Sequence, residues 1–498
     1  MQSTESLIGD AFKFENTFAR LPPSFYSKQK PHAVRSPVLI KFNDALASEL
    51  GLDLSNLSDA AKASVFAGNI VPSSSDPLAM VYAGHQFGNL VPRLGDGRAL
   101  LLGELVDRQG RRMDVQLKGS GPTPYSRMGD GRSWLGPVLR EYVVSEAMHA
   151  LHIPTTRGLA AVETGESVHR EGVLPGAVFT RVSSGHFRVG TFQYFSYRGD
   201  IPNLRLLARY VQRRLYPDTL KVSNPPLAFL KAVVKAQAQL VAKWLGVGFI
   251  HGVMNTDNMS VAGETIDYGP CAFMDGFDTN KVFSSIDQQG RYAYSRQPAI
   301  ACWNLAMFGS TLLPLISTNQ KSAMKLAKKA IESFEHEFSR AWDAVARAKL
   351  GFAKQREEDE SLALDFLTIL NEEQVDFTHA FRHLSNAGNQ FRKNDSIRGI
   401  FKDKAGIDTW LAKWRERLKH EDVGEASRQI AMKEANPSCI PRNHQIEKAI
   451  NVAMTGDYSA FNSLLEAVVA PFDERSPENQ FFRAPKPEER VERTYCGT

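Results

Sequence analysis

The sequence predicts an α+β protein with a strand-rich front and a helical body, and three observations support this. The segments 99–106 (ALLLGELV) and 112–118 (RMDVQLK) are apolar runs of strand length on either side of a polar turn. In 137–151 apolar residues recur at helical spacing, and the segment 227–245, rich in Ala, Val and Lys, indicates a second long helix. From about 320 to 470 the pattern is amphipathic and helical, with little strand signal.

Composition excludes several classes of protein. The 498 residues are 43% hydrophobic and 23% charged, close to the average for globular proteins and unlike a disordered or collagen-like chain. A formal charge of +5 is too dilute over this length to indicate nucleic acid. Four cysteines are too few for a disulfide framework, and the N-terminus lacks a signal-like pattern. We expect a cytoplasmic protein with no nucleic-acid or membrane partner.

One uncharged run, residues 297–320, is long enough to be compared with a membrane span. Asn304, Gly309 and Pro314 interrupt it. A spanning helix needs about 20 predominantly apolar residues. The run therefore predicts a buried helix of a large domain.

Residues 251–269 carry the densest group of polar side chains. Asp257, Asn258 and Asp267 lie within eleven positions, and a turn at 262–264 would fold the chain into a hairpin that brings Asn258 beside Asp267. Oxygen ligands of this kind suit Mg²⁺. Asp257 would stay free to take a proton from an attacking hydroxyl. The alternative is a turn whose Asn and Asp side chains hydrogen-bond their own backbone.

The same segment has the spacing of a kinase catalytic loop, with one departure. His251 and Asn258 are seven apart, as in H-R-D-x-x-x-x-N, and residues 267–269 (DYG) resemble D-F-G. The position of the kinase catalytic Asp is occupied by Val253. An ordinary kinase mechanism therefore fails here, although Asp257 could serve from its place beside Asn258.

Upstream, Lys118 ends a strand and is followed by a helix that contains Glu141 and Glu146. In kinases a strand Lys binds nucleotide phosphates and pairs with a helix Glu. At about 100° per residue, Glu146 falls within the apolar stripe of the helix and Glu141 falls outside it. Helical geometry alone thus favours Glu146. The alternative is a solvated strand end and ordinary ion pairs.

Two glycine-rich turns flank the Lys118 strand. Residues 94–98 and 128–132 both contain G-D-G-R, which has neither the G-x-G-x-x-G nor the G-x-x-x-x-G-K-[ST] spacing. Each places a tight turn beside an Arg, which can form two hydrogen bonds with a phosphate. Simple β-turns use the same residues, so both interpretations stay open.

Taken together, these segments resemble the selenoprotein O family of kinase-like protein adenylyltransferases. The resemblance runs in order from about residue 75 to 310. It depends on YAGHQFGN (82–89), LGDGRALLLGE (94–104), QLKGSGPTPYSRMGDGR (116–132), REYVVSEAMHALHIPTTR (140–157), HGVMNTDNMS (251–260) and IDYGPCAFMD (266–275).

The resemblance implies a two-lobed protein-kinase-like fold in which ATP is bound flipped, so that its α-phosphate faces the acceptor. AMP would then pass to Ser, Thr or Tyr hydroxyls of proteins, with Mg²⁺ or Mn²⁺, and pyrophosphate would leave. By motif position, Asp257 is the proton acceptor and Asn258 and Asp267 hold the metal. Lys118 pairs with Glu141 rather than Glu146. The implied nucleotide-binding residues are Gly95, Gly97, Arg98, Lys118, Asp130, Gly131, Arg181, Arg188 and Asp267.

On this basis we divide the chain into five parts. They are an N-terminal wrapping segment (1–75), a strand-rich N-lobe with Lys118 and the following helix (76–155), a C-lobe with the catalytic and metal-binding loop (156–320), a helical region (321–472) and a tail (473–498). The tail is rich in Pro, Glu and Arg and should be poorly ordered unless something pins it.

The resemblance also implies a redox switch. Cys271 lies four residues after Asp267, and Cys496 is third from the C-terminus. In bacterial relatives a bridge between these regions restrains activity. The alternative is two thiols in a reducing compartment.

Three other functions remain open. Nothing in the spacing distinguishes attack at the α-phosphate from attack at the γ-phosphate, so a phosphotransferase is possible. Val253 favours a catalytically inactive scaffold, whereas Lys118, Asn258 and Asp267 argue against it. Uridylylation with Mn²⁺ is also compatible with the sequence.

Overall fold

The computed structural model describes residues 4–390, 392, 395–476 and 478–495. It confirms a mixed α+β protein: an antiparallel sheet lies in the first 183 residues and helices dominate thereafter. Cys496 lies outside the described residues, so its predicted pairing is not addressed by the structure.

Most strands of the described chain are short, and the longer ones are those of the predicted hairpin and a second pair that follows it in sequence. In chain order they are β1 (Tyr26–Lys28), β2 (Val38–Phe42), β3 (Leu78–Met80), β4 (Gly84–Gln86), β5 (Asn89–Val91), β6 (Ala99–Val106), β7 (Arg112–Lys118), β8 (Ser133–Trp134), β9 (Arg157–His169), β10 (Val173–Ser183), β11 (Phe249–Ile250) and β12 (Ala272–Phe273). The main sheet has the order β1-β3-β6-β7-β10-β9-β2, with β8 paired to β10. β4 and β5 form a separate hairpin.

The helices of the described chain are also numbered in chain order. They are α1 (Thr4–Ala11), α2 (Asp44–Glu49), α3 (Asp59–Phe66), α4 (Leu135–Ala150), α5 (Val189–Tyr197), α6 (Ile201–Leu215), α7 (Pro225–Gly246), α8 (Gln297–Ile316), α9 (Gln320–Leu350), α10 (Glu358–Glu373), α11 (Phe377–Ser385), α12 (Ser396–Gly399), α13 (Lys404–Leu418), α14 (Glu425–Ala435), α15 (Asn443–Ala453) and α16 (Ser459–Val468). The predicted helices therefore form. α7, for example, begins where Asn224 accepts a hydrogen bond from the Leu227 amide.

The predicted hairpin β6–β7 lies in the middle of the sheet, and both of its faces are buried. Leu101 belongs to the core that contains α4, whereas Leu102 and Val115 pack with the N-terminal residues Phe12 and Phe66. The N-terminal segment therefore covers one face of the sheet. It also supplies the edge strands, since β1 pairs with β3 and β2 pairs with β9.

The strand-rich part of the chain extends past the boundary that we placed at residue 155. β9 and β10 come after that boundary, yet β10 is the antiparallel neighbour of β7 and places Phe179 opposite Lys118. The sheet that holds Lys118 therefore runs to residue 183. β9 and β10 follow α4 in sequence, so the sheet has strands on both sides of that boundary, and the five-part division stays a prediction.

The uncharged run forms α8, a single helix that continues through Pro314. In the described chain, the stretch Tyr294–Ile316 is long and apolar enough to cross a bilayer by length and composition alone. Leu305, Phe308 and Leu312 are instead buried in the main core, in contact with α7 and α9. This is the packing of a core helix, which passes the same test of length and composition.

The C-terminal helices build a second core, and the tail is held against it at two described points. The Phe482 ring stacks on His379 with a centroid separation of 4.6 Å. Farther on, the Thr494 amide donates to the Phe283 carbonyl at 2.7 Å. The tail was expected to be poorly ordered unless something pins it, and its described residues make these two contacts with the rest of the chain.

Candidate active site

A cleft of about 500 Å³ lies between the sheet and the loop that contains Asp257. Among the described residues, seven basic side chains and four carboxylates line it, so the cleft carries excess positive charge. The predicted residues in its lining are Gly95, Gly97, Arg98, Lys118, Asp130, Gly131, Arg181, Arg188, Asp257, Asn258 and Asp267. A polar cleft of this charge suits a polyanion.

Lys118 pairs with Glu141, as the resemblance implied and helical geometry did not. Its ammonium lies 2.5 Å from Glu141 Oε2 and 3.3 Å from Asp267 Oδ1. Glu146, which helical geometry favoured, instead accepts hydrogen bonds from Arg157 at 2.8 and 2.9 Å. The helix prediction was wrong on this point because α4 is buried on almost every side, so both Glu side chains are buried.

Asp267 is the centre of the charge network. Its carboxylate receives Arg181 Nη1 at 2.6 Å, Lys118 at 3.3 Å and a third, shorter contact from Arg188. Burial alone would raise the pKa of Asp267, but the three cations, led by Arg188, hold that pKa well below its ordinary value. Asp267 also has a left-handed backbone (φ 64°), a conformation that is uncommon for non-glycine residues and recurs at active sites.

No pattern in the sequence indicates that Arg181 and Arg188 belong to the site, and only the resemblance singled them out. Arg181 is 1% exposed and is also bonded to Gln116 Oε1 at 2.6 Å. Arg188 lies over the Tyr82 ring, 4.9 Å from its centroid, and also donates to the Asp257 carbonyl oxygen. Both guanidiniums are thus held rigidly with their positive charge toward Asp267.

Asp257 is a buried carboxylate whose two oxygens differ in their contacts. Burial raises its pKa, and the nearby Arg188 charge only partly opposes this. Oδ2 accepts a hydrogen bond from Gln86 at 3.3 Å, whereas Oδ1 is buried with no hydrogen-bond partner among the described residues. A carboxylate with a raised pKa is suited to accept a proton.

Buried polar side chains, one in the loop segment itself and two on α8, support the loop that carries Asp257. His251 contacts the Ile266 carbonyl at 2.9 Å through Nε2. From α8, Gln297 donates to the Phe249 carbonyl and Asn304 donates to the Met254 carbonyl, both at 2.9 Å. His251 therefore organises the loop. Sequence reasoning missed the two α8 residues, whose signal was a pair of amides within an otherwise apolar helix.

The predicted hairpin at 262–264 is only partly correct. The turn forms, since the Gly263 amide donates to the Ser260 carbonyl. Its two arms do not pair with each other, however. Ser260 bridges Arg188 and Thr265 bridges Thr155, so each arm is extended by a different part of the molecule.

The second G-D-G-R turn is a tight loop next to β8. Gly131 has φ 64°, and a Cβ at this position would lie 2.1 Å from the Gly121 carbonyl oxygen. Asp130 is held by Arg170 through two hydrogen bonds of 2.9 Å. Arg170 also lines the cleft and was not among the predicted residues.

The donor set fits a divalent metal ion of the magnesium type. Asn258 Nδ2 donates to the Val253 carbonyl at 3.1 Å, which leaves the amide oxygen as the ligand end. Asp267 would supply a carboxylate from the same cleft. Hard oxygen ligands of this number match an ion that keeps several waters and shares substrate phosphates. Among the described residues, no group of three or more His, Cys, Asp or Glu side chains could hold a metal ion. An ion in this cleft would therefore depend on water and substrate phosphates for its other ligands.

The cleft is positively charged, contains the Lys118–Glu141 ion pair and is lined by the buried carboxylate of Asp257. This arrangement is typical of an enzyme that binds a nucleotide and transfers a group from it. Comparison with known proteins gives the family. The model of the family "Protein adenylyltransferase SelO" matches residues 10–469. The chain therefore belongs to the SelO family and is a protein nucleotidyltransferase of the adenylyltransferase type.

Curated relatives extend over nearly the whole chain. The "Protein nucleotidyltransferase YdiU" of Rhizobium rhizogenes is 54% identical, with 97% of both chains covered. Those of Agrobacterium fabrum and Rhizobium meliloti are 52% and 50% identical, with 98% of this chain and 100% of each relative covered.

Proposed function

We propose that the cleft binds ATP and transfers AMP to a Ser, Thr or Tyr hydroxyl of another protein, in a two-lobed, kinase-like arrangement. The observation that carries this proposal is the convergence of Lys118, Arg181 and Arg188 on Asp267, beside the buried carboxylate of Asp257. Phosphoryl and nucleotidyl transfer need alignment and charge neutralisation more than a strong nucleophile.

In the proposed reaction, the acceptor oxygen forms a bond with the α-phosphorus of ATP as the bond to the β-phosphate oxygen breaks. The acceptor proton passes to the Asp257 carboxylate, and pyrophosphate leaves. Lys118, Arg98 and the arginines of the cleft oppose the charge that develops on the phosphate oxygens. Asn258 and Asp267 would hold a Mg²⁺ or Mn²⁺ ion, which supplies further charge neutralisation to the phosphates.

The position of the glycine-rich turns supports the binding of a nucleotide in this cleft. Both G-D-G-R segments line the same cleft as Lys118 and Asp267. Arg98 and Arg127 lie there with no ion-pair partner among the described side chains, and so remain available to phosphate oxygens.

The experiment is a transfer assay that uses ATP labelled at either the α- or the γ-phosphate, with a mixed protein substrate under reducing conditions. We expect α-label on protein from the wild type and none from Asp257→Asn, while both proteins bind ATP. The matched control is Asp218→Asn, since Asp218 is an exposed carboxylate that does not line the cleft. Transfer of γ-label would establish a phosphotransferase. ATP binding without transfer of either label would establish a scaffold, and preferential transfer from labelled UTP would establish uridylylation.

We further propose that oxidation joins Cys271 to Cys496 and restrains the enzyme. Thr494, two residues before Cys496, donates its hydroxyl to the Pro270 carbonyl at 2.6 Å, directly before Cys271. Pro270 and Gly269 line the cleft, so a bridge here would tether the segment that follows Asp267. The two thiols would give up two electrons and two protons to an oxidant such as glutathione disulfide.

This proposal predicts lower activity after oxidation, restored by a thiol reductant. Cys496→Ser should make activity insensitive to oxidation, whereas Cys302→Ser, on α8, should retain the wild-type response. Equal inhibition of Cys496→Ser and wild type would contradict the switch.

A further inference from the structure

The β4–β5 hairpin lies outside the main sheet and packs directly on the Asp257 loop. Its backbone supplies two clamps. The His85 amide donates to Thr256 Oγ1 at 2.6 Å, and the Phe87 amide donates to Asn255 Oδ1 at 3.0 Å. Both clamps use main-chain N–H groups of the hairpin. They therefore do not depend on the side chain of residue 86, which lies between the two donors.

Between these clamps, the hairpin contacts both oxygens of the Asp257 carboxylate. Gly84 lies against Oδ1, since a Cβ on Gly84 would be 2.4 Å from that oxygen. Gln86 donates its amide to Oδ2 at 3.3 Å, and its side chain lines the cleft. With Oδ1 enclosed by backbone, Oδ2 is the oxygen that can meet an incoming hydroxyl.

We infer that Gln86 is a positioning residue for the transfer reaction: its amide fixes the plane of the Asp257 carboxylate so that Oδ2 presents its second lone pair to the acceptor. A carboxylate oxygen can accept two hydrogen bonds, one from Gln86 and one from the acceptor hydroxyl. The contact between Gly84 and Oδ1 prevents the Asp257 carboxylate from moving toward the hairpin backbone. The hydrogen bond from the Gln86 amide prevents the carboxylate from rotating about its bond to Cβ. This inference rests on the proposed role of Asp257 as proton acceptor.

The Gln86 hydrogen bond differs in kind from its neighbours. Thr256 is bonded to Gln193 at 2.7 Å, and Asn255 to Tyr292 at 2.6 Å, so these residues are fixed by several partners. In the described structure, Gln86 is the side chain that supplies a hydrogen bond to the Asp257 carboxylate. Loss of this one amide should therefore release the carboxylate and leave the loop in place.

The test is steady-state transfer of AMP by Gln86→Met and Gln86→Glu, together with equilibrium binding of ATP. Methionine keeps the length of the side chain and removes the donor, and glutamate places a like charge against Asp257. We expect kcat to fall about 10- to 100-fold, because a misplaced general base loses most of its alignment. The Kd for ATP and the thermal midpoint should stay close to those of the wild type. Gln109→Met, in the exposed turn between β6 and β7, is the control that leaves kcat unchanged.

Asp257→Asn is measured in the same assay so that two failures can be distinguished. If Asp257→Asn transfers AMP like the wild type, the assignment of the base falls, and the role of Gln86 falls with it. If Asp257→Asn is inactive while Gln86→Met keeps kcat within about twofold, only the positioning role is overturned. A Gln86→Met protein that loses ATP affinity and thermal stability in proportion to kcat would also overturn it, since that pattern marks a merely structural contact.

Discussion

Glu141→Gln tests the charge network most directly, because it removes one charge and keeps the shape of the side chain. Glu141 is 4% exposed and accepts Lys118 on Oε2 at 2.5 Å and Arg181 on Oε1 at 3.3 Å. Glutamine has one acceptor oxygen, so one of the two cations must lose its partner. Lys118 would then be drawn toward Asp267, which lies 3.3 Å away in the native arrangement.

The magnitude follows from the burial of the pair. A hydrogen bond to a charged group contributes about 1.5–3 kcal/mol, and removal of one member of a buried ion pair costs about 3–5 kcal/mol. One contact survives in the variant, so we expect the free energy of unfolding to fall by about 2–4 kcal/mol. Lys118 would then no longer occupy the position from which it binds the phosphates. We therefore expect kcat/KM for ATP to fall about 10- to 100-fold, which corresponds to a loss of about 1.4–2.7 kcal/mol of transition-state stabilisation.

Denaturant unfolding gives the first quantity, and transfer of α-labelled AMP under reducing conditions gives the second. Glu146→Gln is the matched control, since Glu146 lies on the same helix, is 5% exposed and pairs with Arg157 instead. It should lose comparable stability and keep kcat/KM within about twofold. Equal loss of activity in the two variants would refute the reasoning, and so would wild-type turnover by Glu141→Gln.

Three further predictions concern the cleft, the second core and the tail. Gly131→Ala should weaken ATP binding about tenfold in a titration, because φ 64° is strained for alanine and the new Cβ would meet the Gly121 carbonyl, whereas Gly172→Ala, which has open space, should bind ATP normally. Burial lowers the pKa of Lys349 to about 7. Between pH 7 and 10.5 the unfolded chain therefore binds more protons than the folded protein does, and the cost of Lys349 to the free energy of unfolding grows as the pH falls through that range. Lys349→Met should therefore raise the free energy of unfolding at pH 7 by on the order of 2 kcal/mol, with a smaller gain at pH 10 and no gain at either pH if the amine is hydrated. Phe482→Ala should release the tail from α11 and speed its cleavage in limited proteolysis, and an unchanged cleavage rate would show that the ring stacking does not hold it.

Much of the local structure could be predicted from the sequence. The hairpin β6–β7, the helices α4 and α7 and the helical C-terminal half follow from apolar periodicity, since each pattern acts within one element. The arms of the 262–264 turn could not be assigned correctly, because their pairing partners, Arg188 and Thr155, lie far away in the chain. The same applies to Glu141 and Glu146, because a helix buried on almost all sides gives its periodicity no preferred face.

The sequence by itself determined the types of chemical group that are available: a strand lysine, glycine turns beside arginines, and an Asp–Asn pair followed by an aspartate. Only the tertiary structure decided which of them meet. Lys118, Arg181 and Arg188 reach Asp267 from 149, 86 and 79 residues away. Spacing along a chain fixes distance within one helix or hairpin, whereas between elements the distance is set by how buried faces pack.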